Sequence, residues 1–124
     1  AKAVHAAGRG EEVRLVVATP TAAKAARRLA PFATILPEAF GDIWLRDTGP
    51  IVTGSGKDRR ARGFGFNGWG GKYDLPHDDS IGERLAAGAG LPYSRADWIL
   101  ACGAVDGDGS GTFITTEQCL LNQN

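Results

Sequence analysis

The 124 residues contain no methionine, only two cysteines and two histidines, and no net charge, fourteen basic residues cancelling fourteen acidic ones. Without methionine, the sequence does not open at an ordinary start codon unless that residue was removed, which predicts a fragment or a trimmed product. The charge balance excludes a polyanion-binding face or an acidic tail. The densest basic spot, Arg59, Arg60 and Arg62, lies beside a turn and reads as a solvated strand end, so no nucleic acid is expected as a partner. No apolar run approaches the roughly 20 residues needed to span a bilayer. The longest core-like run is Leu15-Val16-Val17-Ala18, and Ala1-Lys2-Ala3-Val4-His5 has no signal-peptide hydrophobic region. These absences predict a cytoplasmic protein with no membrane partner, whose Cys102 and Cys119 are free thiols rather than a disulfide.

With 43% hydrophobic residues the length suits one domain over residues 1–124 and is too short for two ordinary ones. Val13 to Ala18 reads as a buried strand, Thr19 as a helix cap with Pro20 at the first helical position, and Pro31 as the stop. Ala33 to Leu36 gives a second strand. Ile51 to Thr53 and Arg60 to Phe66 form a hairpin through Gly54 to Asp58. Along Arg60 to Phe66 the two phenylalanines share one face, and Gly63 and Gly65 the other, which predicts a close approach to the backbone there. Asp78 or Asp79 caps a helix that carries Ile81 and Leu85 on one face and ends at Gly88. Pro92 to Leu100 and Thr112 to Thr115 read as strands around a polar, glycine-rich turn. The fold class is mixed α/β (α+β), without the long alternation of a doubly wound sheet.

The stretch Asp42-Ile43-Trp44-Leu45-Arg46-Asp47-Thr48-Gly49-Pro50 concentrates a ring, a cation and two carboxylates beside two turn-formers. Gly49-Pro50 predicts that Trp44, Arg46 and Asp47 sit on a loop leaving a scaffold. One reading pairs Arg46 with Asp42 or Asp47 at the surface while Trp44 plugs the core. In the other, Asp47 is a two-oxygen acceptor matched to a guanidinium and Trp44 offers the cation a face.

Three further motifs invite chemistry. Asn67-Gly68-Trp69-Gly70-Gly71-Lys72-Tyr73 looks like a phosphate loop, but Phe66 stands where the first glycine is needed and Tyr73 where Ser or Thr is needed. The run from Asp106 to Glu117 has EF-hand spacing, with Asp106, Asp108, Ser110 and Glu117 as candidate calcium ligands. Its context is β-prone rather than helical, and a hairpin turn explains the same residues. Cys102, near a turn, reads as reachable and Cys119, beside Leu120 and Leu121, as a small core residue. Nothing brings His5 or His77 to either thiol.

Taken together, Asp42 to Pro50, Phe64 to Tyr73, Gly103 to Thr112 and Thr115 to Asn122 resemble, in order, motifs of the agmatine deiminase and bacterial peptidylarginine deiminase family of guanidine-modifying enzymes. The resemblance covers nearly the whole chain and matches the family's amino-terminal portion. It implies part of a five-fold pseudo-symmetric propeller of ββαβ units, about two of them, with the missing remainder of the propeller as a partner and a homodimer allowed. It demotes the calcium reading, because the family's counterpart of that loop is a sheet turn.

In the family a cysteine thiolate attacks the guanidinium carbon, ammonia leaves, and a histidine-activated water releases the ureido product. Agmatine would give N-carbamoylputrescine; arginine at a peptide end is the other substrate class. No cofactor is implied. By motif, Asp47 matches a guanidinium-holding carboxylate and Trp44 shapes its pocket, with Arg46, Asn67 and Trp69 as supporting residues. The family's His-x-Asp pair and nucleophilic cysteine lie beyond Asn124, and neither Cys102 nor Cys119 matches the nucleophile. Ala101-Cys102-Gly103 stands where the family usually has Glu-Gly-Gly, which removes a second carboxylate. The chain alone is therefore expected to be inactive, and the alternative is a non-catalytic guanidine-binding or calcium-binding module.

Overall fold

The computed structural model describes Ala3 and residues 12–121, in a mixed α/β arrangement that divides into two units, Ala1–Ala39 and Phe40–Asn124. In the first, strand β1 (Arg14–Val17), helix α1 (Pro20–Leu29) and strand β2 (Thr34–Pro37) form one βαβ turn of chain. The strands pair in parallel from Arg14 opposite Thr34 to Val17 opposite Pro37. Helix α1 starts where the sequence says it must. The Thr19 hydroxyl accepts the Ala22 N–H at 3.1 Å and Pro20 occupies the first helical position. Arg27 and Arg28 complement the dipole in its last turn, and the helix ends one residue before the Ala30-Pro31 bond.

The second unit is built on a three-stranded sheet in the order β3 (Ile51–Thr53), β4 (Arg60–Gly65), β5 (Tyr93–Ile99). Strands β3 and β4 form the expected antiparallel hairpin, Ile51 facing Arg62, closed by a single 3-10 turn at Gly56–Asp58. Between β4 and β5 the chain passes through two helical segments, α3 (Gly68–Gly71) and α4 (Asp78–Gly88). Strand β5 then returns parallel to β4, so the order is strand, strand, helix, strand. The short helix α2 (Leu45–Thr48) precedes the sheet. A 3-10 turn at Cys102–Ala104, a two-stranded ribbon of β6 (Asp106–Gly107) and β7 (Phe113–Ile114), and α5 (Glu117–Leu120) follow it.

Two features differ from the sequence expectation. The segments near Pro92 and Thr112 are both strands but not partners: β5 joins β4, while β7 folds back on β6. The helix cap is His77, in left-handed backbone at φ 78° with no side-chain bond to the helix, and both aspartates lie inside the first turn. Their carboxylates bond to distant backbone N–H groups and so do not cap the helix.

The core of this unit is small-residue rich: Ala61 and Ile81 are fully enclosed, Ala86 nearly so, and Leu100 and Cys102 close it. Small residues let the helix sit close on the sheet. At Gly63, where a close approach was expected, the Tyr93 hydroxyl of the neighbouring strand occupies the space a Cβ would take, and Ile99 crowds Gly65 in the same way. The approach is therefore a cross-strand packing contact. Among the described residues, no helix is long and apolar enough to cross a membrane.

Candidate functional site

The stretch 42–50 is only partly a loop: Leu45–Thr48 closes one helical turn that takes in Arg46 and Asp47, while Trp44 stays in the irregular segment before it. The Trp44 carbonyl accepts the N–H of Asp47 at 2.9 Å and of Thr48 at 3.2 Å, and Gly49 N–H reaches the Leu45 carbonyl at 2.9 Å. Pro50 has no N–H and holds Gly49 extended, so the turn cannot lengthen. Helix α4 fastens both ends of this stretch. On one face, the Asp78 carboxylate accepts the N–H groups of Gly41 at 2.8 Å and Asp42 at 3.1 Å. One helical turn later, Gly82 has no side chain where the Thr48 carbonyl would lie 3.1 Å from a Cβ.

Asp47 is half-buried and lies against the Cys102–Ala104 turn. Its carboxylate sits where a Cβ on Gly103 would be, beside the Arg46 stem. It forms no hydrogen bond or ion pair among the described residues. Arg46 is exposed and pairs with neither Asp42 nor Asp47 there, and Trp44 is 54% exposed, so the reading of a surface ion pair with a core tryptophan is not what folds.

The second motif follows β4. Gly68, Trp69, Gly70 and Gly71 all have positive φ, a left-handed turn. Three are glycines that adopt it freely, whereas Trp69, at φ 58°, carries a cost of about 1–2 kcal/mol. The Asn67 side chain accepts the Gly70 N–H at 2.9 Å, and the Trp69 ring stands edge-on between Phe66 at 5.0 Å and Tyr73 at 6.1 Å. These contacts hold Trp69 in its strained setting. Trp69 and Asn67 line a recess of about 230 Å³ with Leu100, Ala101, Gln118 and Cys119. No charged side chain lines it.

Arg46 instead lines a larger hollow of about 780 Å³, with Val52, Cys102, Asp106 and Phe113. The residues 101–104 contribute to both recesses, and Asp47 rests on their Gly103. The structure thus groups Asn67 with Trp69 and sets Asp47 beside the Arg46 stem, while neither Asp47 nor Trp44 lines either recess.

The thiols are the reverse of the expectation. Both are free, but Cys102 is buried and Cys119 exposed. Burial, reinforced by the nearby Asp47 charge, pushes the Cys102 thiol above its ordinary value and away from nucleophilic use. Cys119 shares the surface with Leu120 and Leu121, which are 42% and 72% exposed.

The acidic loop is a hairpin turn. Asp108 accepts the backbone N–H groups of Ser110 at 2.8 Å and Thr112 at 3.1 Å and the Ser110 hydroxyl at 2.7 Å, which holds its carboxyl well below the usual range. Asp106 accepts its neighbour Gly107 N–H, and Glu117 opens the separate helix α5. Among the described residues, no three His, Cys, Asp or Glu side chains gather closely enough to hold a metal.

Two residues mattered more than their sequence context signalled. Asp78 is 2% exposed with its second carboxylate oxygen unpartnered, and Asp79 accepts the Phe66 N–H at 2.7 Å and the Arg95 guanidinium at 2.6 Å. Desolvation pushes the Asp79 carboxyl up, but Arg95 and the Phe66 N–H outweigh it and hold it below its ordinary value.

This arrangement of short strands and helices is similar to that of solved agmatine deiminases. The enzyme of Enterococcus faecalis, captured catalysing its reaction, superposes with a TM-score of 0.80 at 29% identity over 89% of this chain and 32% of that one. A C. jejuni agmatine deiminase with substrate bound gives a TM-score of 0.80 at 25% identity over 98% of this chain and 37% of that one. A Vibrio parahaemolyticus protein carrying the provisional name agmatine deiminase is 40% identical over 89 residues, 67% of this chain and 25% of that protein. The chain thus spans 25–37% of the length of these relatives, corresponding to their amino-terminal portion. The Porphyromonas-type peptidyl-arginine deiminase family matches residues 1–124, and the chain belongs to that family.

Proposed function

We propose that this chain supplies Asp47 as a guanidinium-holding carboxylate to a deiminase site that acts on agmatine or a related guanidine. The observation that carries the reading is the state of Asp47: a half-buried carboxylate, set on the Gly103 backbone, with no hydrogen-bond or ion-pair partner of its own among the described residues. A half-buried carboxylate left open is suited to a cation brought by a ligand. Trp44, exposed one turn away, lies beside that cation, and Arg46, Asn67 and Trp69 support the two walls.

The chemistry belongs to residues outside this stretch. A thiolate would attack the guanidinium carbon, ammonia would leave, and water would release the ureido product and free the thiol. Neither Cys102, buried and held protonated, nor Cys119 serves as that thiol. The strand, strand, helix, strand order of β3, β4, α4 and β5 supports a ββαβ unit of a propeller. We take residues 1–124 as one fragment of it, with Phe113, Ile114 and Leu121, each at least 67% exposed, covered by the rest. Ala101 favours a second reading, a guanidine binder without turnover, because the recess it lines offers no carboxylate.

The test is ammonia release from agmatine. The native polypeptide carrying this chain is expected to turn over and to do so unchanged with Cys102→Ala or Cys119→Ala, whereas the 124-residue chain alone is not. Turnover by the short chain, abolished at either cysteine, would overturn this assignment. Agmatine binding by the native polypeptide without ammonia release would favour the binder.

A further inference from the structure

Adjacent aspartates at the start of α4 reach in different directions and touch two different motifs. Asp78 is enclosed, and one of its oxygens accepts both Gly41 and Asp42 N–H groups, 37 and 36 residues earlier in the chain. Those amides lead directly into Trp44 and Asp47. Asp79 accepts the N–H of Phe66, the residue immediately before Asn67 and two before the left-handed turn that carries Trp69. It is fixed in turn by Arg95 of β5, which bonds both its carboxylate at 2.6 Å and its backbone carbonyl at 3.1 Å.

Two neighbouring carboxylates on one helix repel each other, and two features offset this. Both lie in the first turn of an eleven-residue helix, where the dipole favours negative charge. Both also accept backbone N–H donors. A simple cap would need one of them, and neither caps α4. The Asp78 position further tolerates an unpartnered buried oxygen and a left-handed His77 just before it, costs with no return in the stability of α4 itself.

We infer that Asp78 and Asp79 are positioning residues that set the spacing between the two halves of the ligand site, Asp78 fixing the Trp44–Asp47 turn and Asp79 the Asn67–Trp69 loop. The inference rests on the reading of those halves as guanidine-facing. Because α4 is one rigid element, the two segments are indexed to each other through adjacent residues rather than through the flexible chain between them.

The test combines amide hydrogen exchange with agmatine titration, on the native polypeptide carrying this chain. Asp78→Ala is expected to speed exchange about tenfold at Gly41 and Asp42 and to leave Phe66 unchanged, and Asp79→Ala to do the reverse, each losing a charged acceptor. Each alanine variant is expected to raise the agmatine Kd about tenfold, in keeping with one charged hydrogen bond lost. Asp78→Asn keeps an acceptor oxygen and is expected to retain both the protection of Gly41 and Asp42 and a Kd within about twofold.

No acceleration at these three amides overturns the inference, as does local acceleration with an unchanged Kd. Acceleration spread evenly over β3, β4 and β5 marks a merely structural role and also overturns it. If an alanine variant does not fold, Asp78→Asn decides: a raised Kd with Gly41 and Asp42 still protected contradicts positioning. If the unmutated polypeptide binds no agmatine, the guanidine reading fails by itself, and the exchange pattern still shows whether each carboxylate fastens its segment.

Discussion

Asp47 and Asp108 are both aspartates in conspicuous motifs, and their surroundings differ in how the carboxylate oxygens are used. Asp108 spends its carboxylate on its own turn, accepting three hydrogen bonds from Ser110 and Thr112. Asp47 accepts none among the described residues, although it is the less exposed of the two. A short turn with small residues satisfies its own acid. A one-turn helix pressed against a glycine presents its acid elsewhere. Motif spacing alone scores both as ligands; only the use of the lone pairs separates a structural carboxylate from an available one.

The sharpest way to break this contrast is at Gly103. Gly103→Val places side-chain atoms where the Asp47 carboxylate lies, so we expect displacement of Asp47 and a loss of about a hundredfold in agmatine kcat/KM for the native polypeptide. Steady-state ammonia release measures it. Gly82→Val presses on the Thr48 carbonyl and Pro50 from the α4 side and is expected to cost about 1–3 kcal/mol of stability, read from urea unfolding.

A pH series sharpens the comparison further. The Asp79 carboxyl is held below its ordinary value in the folded state, so its contribution is complete above about pH 4 and is lost as pH falls through the folded value. The urea midpoint is expected to drop between pH 7 and pH 3, and to drop less in Asp79→Asn. The smallest expected effect is at the acidic turn. Calorimetric titration with calcium should give no binding heat, and Glu117→Ala should leave that trace unchanged.

Features set by near neighbours were legible in the sequence. The Thr19-Pro20 start of α1, the β3–β4 hairpin and the end of α4 at Gly88 each depend on a few adjacent residues. The motif around Asp47 was legible as a candidate because its residue types match a guanidinium. What was not legible depends on distant partners. Asp78 meets Gly41 across 37 positions and Asp79 meets Arg95 across 16, so both aspartates read only as local caps. The cysteines inverted for the same reason. Cys102 is buried with the core of the second unit, whereas Leu120 and Leu121 gave Cys119 an apolar neighbourhood that is itself exposed.

The most direct test is calorimetric titration of the native polypeptide with agmatine, comparing Asp47→Asn with Asp108→Asn. The account predicts that Asp47→Asn weakens binding about a hundredfold, since a charged acceptor facing a cation is neutralised, while Asp108→Asn leaves the affinity unchanged. Equal affinities for the two variants, or a greater loss at Asp108, would contradict it.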